Sequence, residues 1–137
     1  MGDGLKNADI TDATISECAI HRGMTKLQLC STKNYKDGNL SNSPFSRIDL
    51  SGCDLSRQNL TGSTFTECVF TGASFRDAVI TNAQFAIGTT DCPGLTVEQI
   101  KSTWNYKNGR MAGVVLPRRV AEALLKENDR EKAEAKK

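Results

Sequence analysis

From residue 38 to residue 87 the chain reads GNLSNSPFSRIDLSGCDLSRQNLTGSTFTECVFTGASFRDAVITNAQFAI, with a large apolar residue at every fifth position. The series is Leu40, Phe45, Leu50, Leu55, Leu60, Phe65, Phe70, Phe75, Ile80 and Phe85. Two residues before each stands a mostly small one: Gly38, Ser43, Ile48, Cys53, Gln58, Ser63, Cys68, Ala73, Ala78 and Ala83. On an α-helix a step of five turns the chain by about 500°, so the apolar row drifts and never forms a face. On a straight strand an odd step throws successive large residues to opposite sides. A chain that turns a corner once per pentad aims every large residue, and the small one before it, inward. Repetition at fixed period with a core shared between neighbours marks a solenoid.

Segments such as Cys53-Asp-Leu-Ser-Arg57, Ala73-Ser-Phe-Arg-Asp77 and Ala78-Val-Ile-Thr-Asn82 resemble the A(D/N)LXX signature of pentapeptide-repeat proteins. The resemblance covers residues 3–22 and 38–87. It implies an all-β solenoid, a right-handed quadrilateral β-helix with four pentads per coil; spacing alone also permits three sides. Four pentads per coil stack residues twenty apart at about 4.8 Å. Phe45, Phe65 and Phe85 then form one ladder and Leu40, Leu60 and Ile80 another, with Leu50 over Phe70 and Leu55 over Phe75. Burying each is worth about 1.5–3 kcal/mol before entropy is subtracted. Ile48 and Gln58 are oversized for the small position and are expected to mark a local swelling or bend.

Taken in order, residues 1–22 form the first coil, with Leu5, Ile10, Ile15 and Ile20 inward. His21 is expected to face solvent. The chain meets its first repeat almost at once, which reads as a piece of a longer protein. Residues 23–37 interrupt the rhythm with a short helix over Met24–Thr32, N-capped by Thr25. The segment recurs: Leu95–Gly109 matches Met24–Gly38 at Thr, Gln, Ser-Thr, Asn-Tyr-Lys and Gly. Thr96 and Gln99 make the better capping box. Tyr35 and Tyr106 are expected to return the chain to the coil as insert joints, with Met111 and Leu116 corresponding to Leu40 and Phe45. Similar inserts occur in some bacterial pentapeptide-repeat proteins. The main repeat run is thus 38–87, and 88–116 holds a turn, the second insert and return strands. From Pro117, well placed in a helix's first turn, residues 117–137 form a capping helix and charged tail.

Aromatics make up 6% of the 137 residues, low for a globular core but tolerable in a narrow coil. No apolar run is long enough to span a membrane, and no charged-then-apolar leader begins the chain. The five cysteines include no CxxC pair. Cys18, Cys53 and Cys68 fall on the small inward position, while Cys30 and Cys92 lie outside the repeats and carry no signal. No disulfide, metal or cofactor is expected, and free thiols fit a cytoplasmic setting.

The net charge is +2. Asp49, Asp54, Glu67 and Asp77 in the repeats are interleaved with Arg47, Arg57 and Arg76. No basic footprint for nucleic acid stands out. Some members of the resembled family mimic DNA to protect DNA gyrase, but here the acidic row is sparse. The paired Asn-Tyr-Lys clusters offer no convergent acid, base and nucleophile, so no catalytic residue and no enzyme activity is expected. The expected function is a non-catalytic scaffold binding an unidentified protein, with a gyrase-directed DNA mimic as the alternative. No membrane or nucleic-acid partner is expected, and the open end of a solenoid permits a homodimer.

Overall fold

A computed structural model describes residues 8–15 and 24–135. Leu5, Cys18, Ile20 and His21 lie outside the described residues.

The corner that the five-residue period demands is visible in the backbone. Two positions after each large residue from Leu40 to Ile80 the chain adopts a left-handed φ: Asn42, Arg47, Gly52, Arg57, Gly62, Glu67, Gly72, Asp77 and Asn82 all fall between 54° and 72°. At most corners the N–H three residues beyond the large one donates back to its carbonyl, as from Cys53 to Leu50 at 3.0 Å and from Ala78 to Phe75 at 2.9 Å. The residue before the large one holds the same corner from outside. Asp49 accepts from the Ser51 N–H at 3.0 Å, Asp54 from Ser56 at 3.0 Å and Asn59 from Thr61 at 3.1 Å. Short Asp and Asn side chains suit this bond because they reach the amide two residues on.

Each full turn takes twenty residues. Parallel bridges join Asn39 to Asn59, Asp49 to Val69, Asp54 to Ser74, Asn59 to Val79 and Thr64 to Gln84. Between turns the N–H of the large residue donates upward at most positions, for example Leu50 to the Val69 carbonyl at 2.9 Å and Leu60 to Val79 at 2.7 Å. Among the described residues regular strand is confined to one side, where β1 (Pro44–Ser46) pairs in parallel with β2 (Thr64–Thr66). The all-β class is therefore corrected: pentads spend most of their residues in corners, and the longest regular element is a helix. Inside, all ten large residues of the run from Leu40 to Phe85 are buried. Phe45, Phe65 and Phe85 stack with ring centroids 5.0 Å apart at each step. Ile15 is buried and Ile10 partly so.

Each insert is two short helices rather than one. α1 (Lys26–Ser31) and α2 (Lys33–Lys36) are separated by Thr32, which ends the first and caps the second by accepting from the Tyr35 N–H. α3 (Val97–Lys101) and α4 (Trp104–Lys107) repeat the arrangement, with Thr103 accepting from Tyr106. Thr25 and Thr96 both complete capping boxes, with Gln28 and Gln99. α5 (Arg118–Ala135) begins after Pro117 and continues through the charged tail, burying Val120 and Leu124. None of these helices is long and apolar enough to cross a membrane.

Candidate interaction surface

The two inserts join the coil in the same way, through an asparagine. In an uninterrupted turn the N–H of Ile15 would meet the main-chain carbonyl nineteen residues on. Residue 34 instead enters α2, and its side-chain Oδ1 accepts from Ile15 at 2.7 Å. Its own carbonyl accepts from Asn39 at 2.8 Å, where the coil resumes. The second insert matches bond for bond: Ile80 donates to Asn105 Oδ1 at 2.7 Å, and Arg110 N–H to the Asn105 carbonyl at 2.8 Å. A side chain thus stands in for a backbone acceptor while one helical turn bulges out.

The tyrosines at these inserts reach the next layer. The Tyr35 hydroxyl donates to the Asp54 carbonyl at 2.6 Å, whereas that of Tyr106 donates to Asn128 of α5 at 2.7 Å. Lys26 donates to the Ser51 carbonyl and Cys30 touches Cys53 at 4.0 Å above the first insert. Above the second, Lys101 pairs with Glu127 at 3.1 Å and Glu131 at 2.7 Å. α5 therefore occupies, over the second insert, the place that residues 51–54 occupy over the first.

Two cysteines outside the repeats carry more than their positions promised. Cys30 meets Cys53, and Cys92 is buried with its thiol 3.3 Å from the carbonyls of Phe65 and Phe85. Burial pushes Cys53 and Cys92 up to about 12 and Cys68 to about 11. Ile48 and Gln58 are both buried without breaking the twenty-residue register. Gln58 Nε2 donates to the Tyr35 carbonyl at 2.9 Å, and its Oε1 has no partner among the described residues. The oversized amide thus serves as a tie to the first insert.

Outside, most charges are answered locally. Arg47 pairs with Glu67 one turn above at 3.1 Å, and Asp77 with Lys107 at 2.7 Å. The hydroxyl and N–H of Ser51 and Ser56 hold Asp49 and Asp54 below the usual carboxylate value. Arg119 clamps Asp91 at 2.9 Å, lowering it too. Among the described residues no group of three metal-ligating side chains converges.

What stands out is the last coil. Trp104, where the first insert has Lys33, is 40% exposed, and Val115 is 42% exposed. Trp104 lines a cleft of about 330 Å³ with Thr81, Gly109, Arg110 and Ala112. The corresponding groove at the first insert is lined by Thr14, Lys33, Asn34, Asp37 and Asn39. Lys33 and Asp37 pair with each other there at 2.8 Å. Trp and Arg are the residues most often found carrying binding energy at interfaces.

The packed interior, outward polar turns and duplicated inserts mark a repeat protein. Residues 53–86 match the family model described as pentapeptide repeats (8 copies), so the chain carries pentapeptide repeats over that segment. Such repeats imply a β-helix-like fold and are compatible with a non-catalytic scaffold. No match is found among curated proteins or among solved structures.

Proposed function

We propose that this chain is a non-catalytic scaffold, a right-handed, four-sided β-helix that holds a protein partner on its outer surface. The observation that carries the reading is Trp104, a large aromatic left 40% exposed beside Arg110 on a coil whose other apolar side chains mostly turn inward. A rigid coil supplies such a surface at low ordering cost. The cytoplasm suits its free thiols. The alternative, a DNA mimic acting on gyrase, calls for a continuous acidic face. Here Glu67 is neutralised by Arg47, and Asp77 by Lys107 and Arg76.

The test immobilises the full chain in an extract of its native host. One protein should be retained by the wild type and lost with Trp104→Ala, while the melting temperature stays within about 2 °C, as expected for a half-exposed side chain. Retention that ignores Trp104, or inhibition of gyrase supercoiling by the purified chain, would overturn the reading.

A further inference from the structure

The lower turns of the coil show what each turn offers the next. The large residue's N–H donates upward, as Leu60 does to Val79 at 2.7 Å and Phe85 to Val115 at 2.7 Å. The small residue's carbonyl accepts from above, as Gly38 does from Asn59 at 2.9 Å and Ala83 from Val115 at 3.0 Å. The left-handed corner residue also donates upward, as Asn42 does to Thr61 at 2.8 Å. Residues 109–116 are the last to repeat this pattern. Val115 bridges Gln84 below, and Val114 closes its corner onto Met111 at 3.1 Å. By the same register the N–H groups of Met111, Gly113 and Leu116, and the carbonyls of Gly109 and Val114, face upward. None of the five has a partner among the described residues.

α5 closes only part of this end. Through Glu127, Asn128 and Glu131 it sits over α3 and α4. A whole further coil, from a second copy or elsewhere, would need that place and finds it taken. What remains is one edge of eight residues, the length of a single short strand. Open strand edges of this kind are templates for added strands.

Charge says more about the occupant. Residues twenty apart stack in columns, and the coil pairs opposite charges in one of them, Arg47 with Glu67 at 3.1 Å. Arg110 is exposed and stands immediately before Met111 as Asn39 stands before Leu40, and its guanidinium has no ion-pair partner among the described residues. The cleft walled by Trp104 opens beside it. We propose that residues 109–116 take one extended segment of a partner protein as an added parallel strand. An acidic residue lies over Arg110, and apolar residues five apart lie over Met111 and Leu116. The proposal rests on the scaffold reading and specifies the partner's chemistry.

The experiment adds a synthetic peptide, Ala-Glu-Leu-Thr-Asn-Ala-Asn-Leu-Thr-Gly, to the full-length chain. Hydrogen exchange at the amides of Met111, Gly113 and Leu116 should slow at least tenfold at saturation. Arg110→Glu should raise the Kd at least tenfold, and a peptide with Lys in place of Glu should recover the loss. N-methylation of the peptide at Glu and at its second Asn, whose N–H groups meet Gly109 and Val114, should abolish binding. Unchanged exchange at the three amides, or equal binding of the N-methylated peptide, would overturn the added strand. Protection that rises with protein concentration alone, with sedimentation as a dimer, would also overturn it by assigning the edge to a second copy. In any of these cases a partner held through Trp104 would leave the scaffold standing.

Discussion

The main-chain N–H of Ile80 donates to the side-chain oxygen of Asn105 at 2.7 Å, in the place where every uninterrupted turn uses a backbone carbonyl. Asn105 is fully buried, and its Nδ2 donates to Thr81 Oγ1 at 3.0 Å and to the Arg110 carbonyl at 2.9 Å. One amide group therefore binds the coil on both sides of the excursion. Replacing it leaves a buried donor unsatisfied, which costs about 1–3 kcal/mol. Asn105→Ala should lower the unfolding free energy in urea by that amount and speed hydrogen exchange at Ile80. Asn105→Asp keeps the acceptor but turns its second oxygen on the Arg110 carbonyl, so it should not restore stability.

The Phe ladder makes a second expectation. Phe65 stacks on Phe45 and Phe85 at 5.0 Å and meets Phe70 edge-on at 5.4 Å. Aromatic pairs are worth about 0.5–1.5 kcal/mol each beyond the area they bury. Phe65→Leu keeps most of the buried area and loses the ring contacts, so it should cost about 1–3 kcal/mol in denaturant titration. Phe65→Ala adds a cavity and should cost about 3–5 kcal/mol. If the two variants were equally destabilised, the added cavity would cost nothing and the lost ring contacts would account for the whole effect.

How much of this was legible beforehand follows from where the information sits. The inward row from Leu40 to Phe85 depends only on period, which one sequence displays. The caps at Thr25 and Thr96 were equally readable, because a capping box is local. The break at Thr32 was hidden by reading 24–32 as one apolar stripe. Asn34 and Asn105 were visible as a repeated pair, yet their task appears only when Ile15 and Ile80 are brought beside them. The role of α5 as a substitute for residues 51–54 required knowing what stands over the first insert. The strand content was overestimated because stacking at the interstrand spacing does not need extended backbone along a whole side.

Thiol chemistry gives a pH-dependent expectation. Burial holds Cys53 and Cys92 protonated up to about 12 and Cys68 up to about 11, against 9.0 for an ordinary thiol. In the unfolded chain these groups release their protons near 9, while the fold keeps them. Their contribution is therefore fully present below pH 9 and is lost as pH climbs through 9 to 12. Denaturant midpoints should fall over that window, and Cys68→Ala should flatten part of the decline. At pH 8 a thiol reagent should label partly exposed Cys30 well before Cys53, Cys68 or Cys92.

Glycine substitutions separate two reasons for the same residue. Gly38 has φ +72°, and a Cβ there would meet nothing within 4 Å. Gly38→Ala should cost only the left-handed penalty, about 1–2 kcal/mol. Gly94 has φ +81°, and its Cβ would fall 2.4 Å from the Thr71 nitrogen and 2.6 Å from its Cα. Backbone cannot rotate away as a side chain can, so Gly94→Ala must lift the 88–94 loop off the coil. That loop sets Pro93, whose carbonyl accepts from Phe70 at 2.7 Å, and Cys92, buried beneath it. The cost should exceed that of Gly38→Ala by about 2 kcal/mol or more, in line with overpacking against unyielding neighbours. Faster labelling of Cys92 by a thiol reagent in Gly94→Ala, but not in Gly38→Ala, would locate the damage. Equal melting temperatures for the two variants would mean that the loop does not press on Thr71 and that its glycine serves the turn alone.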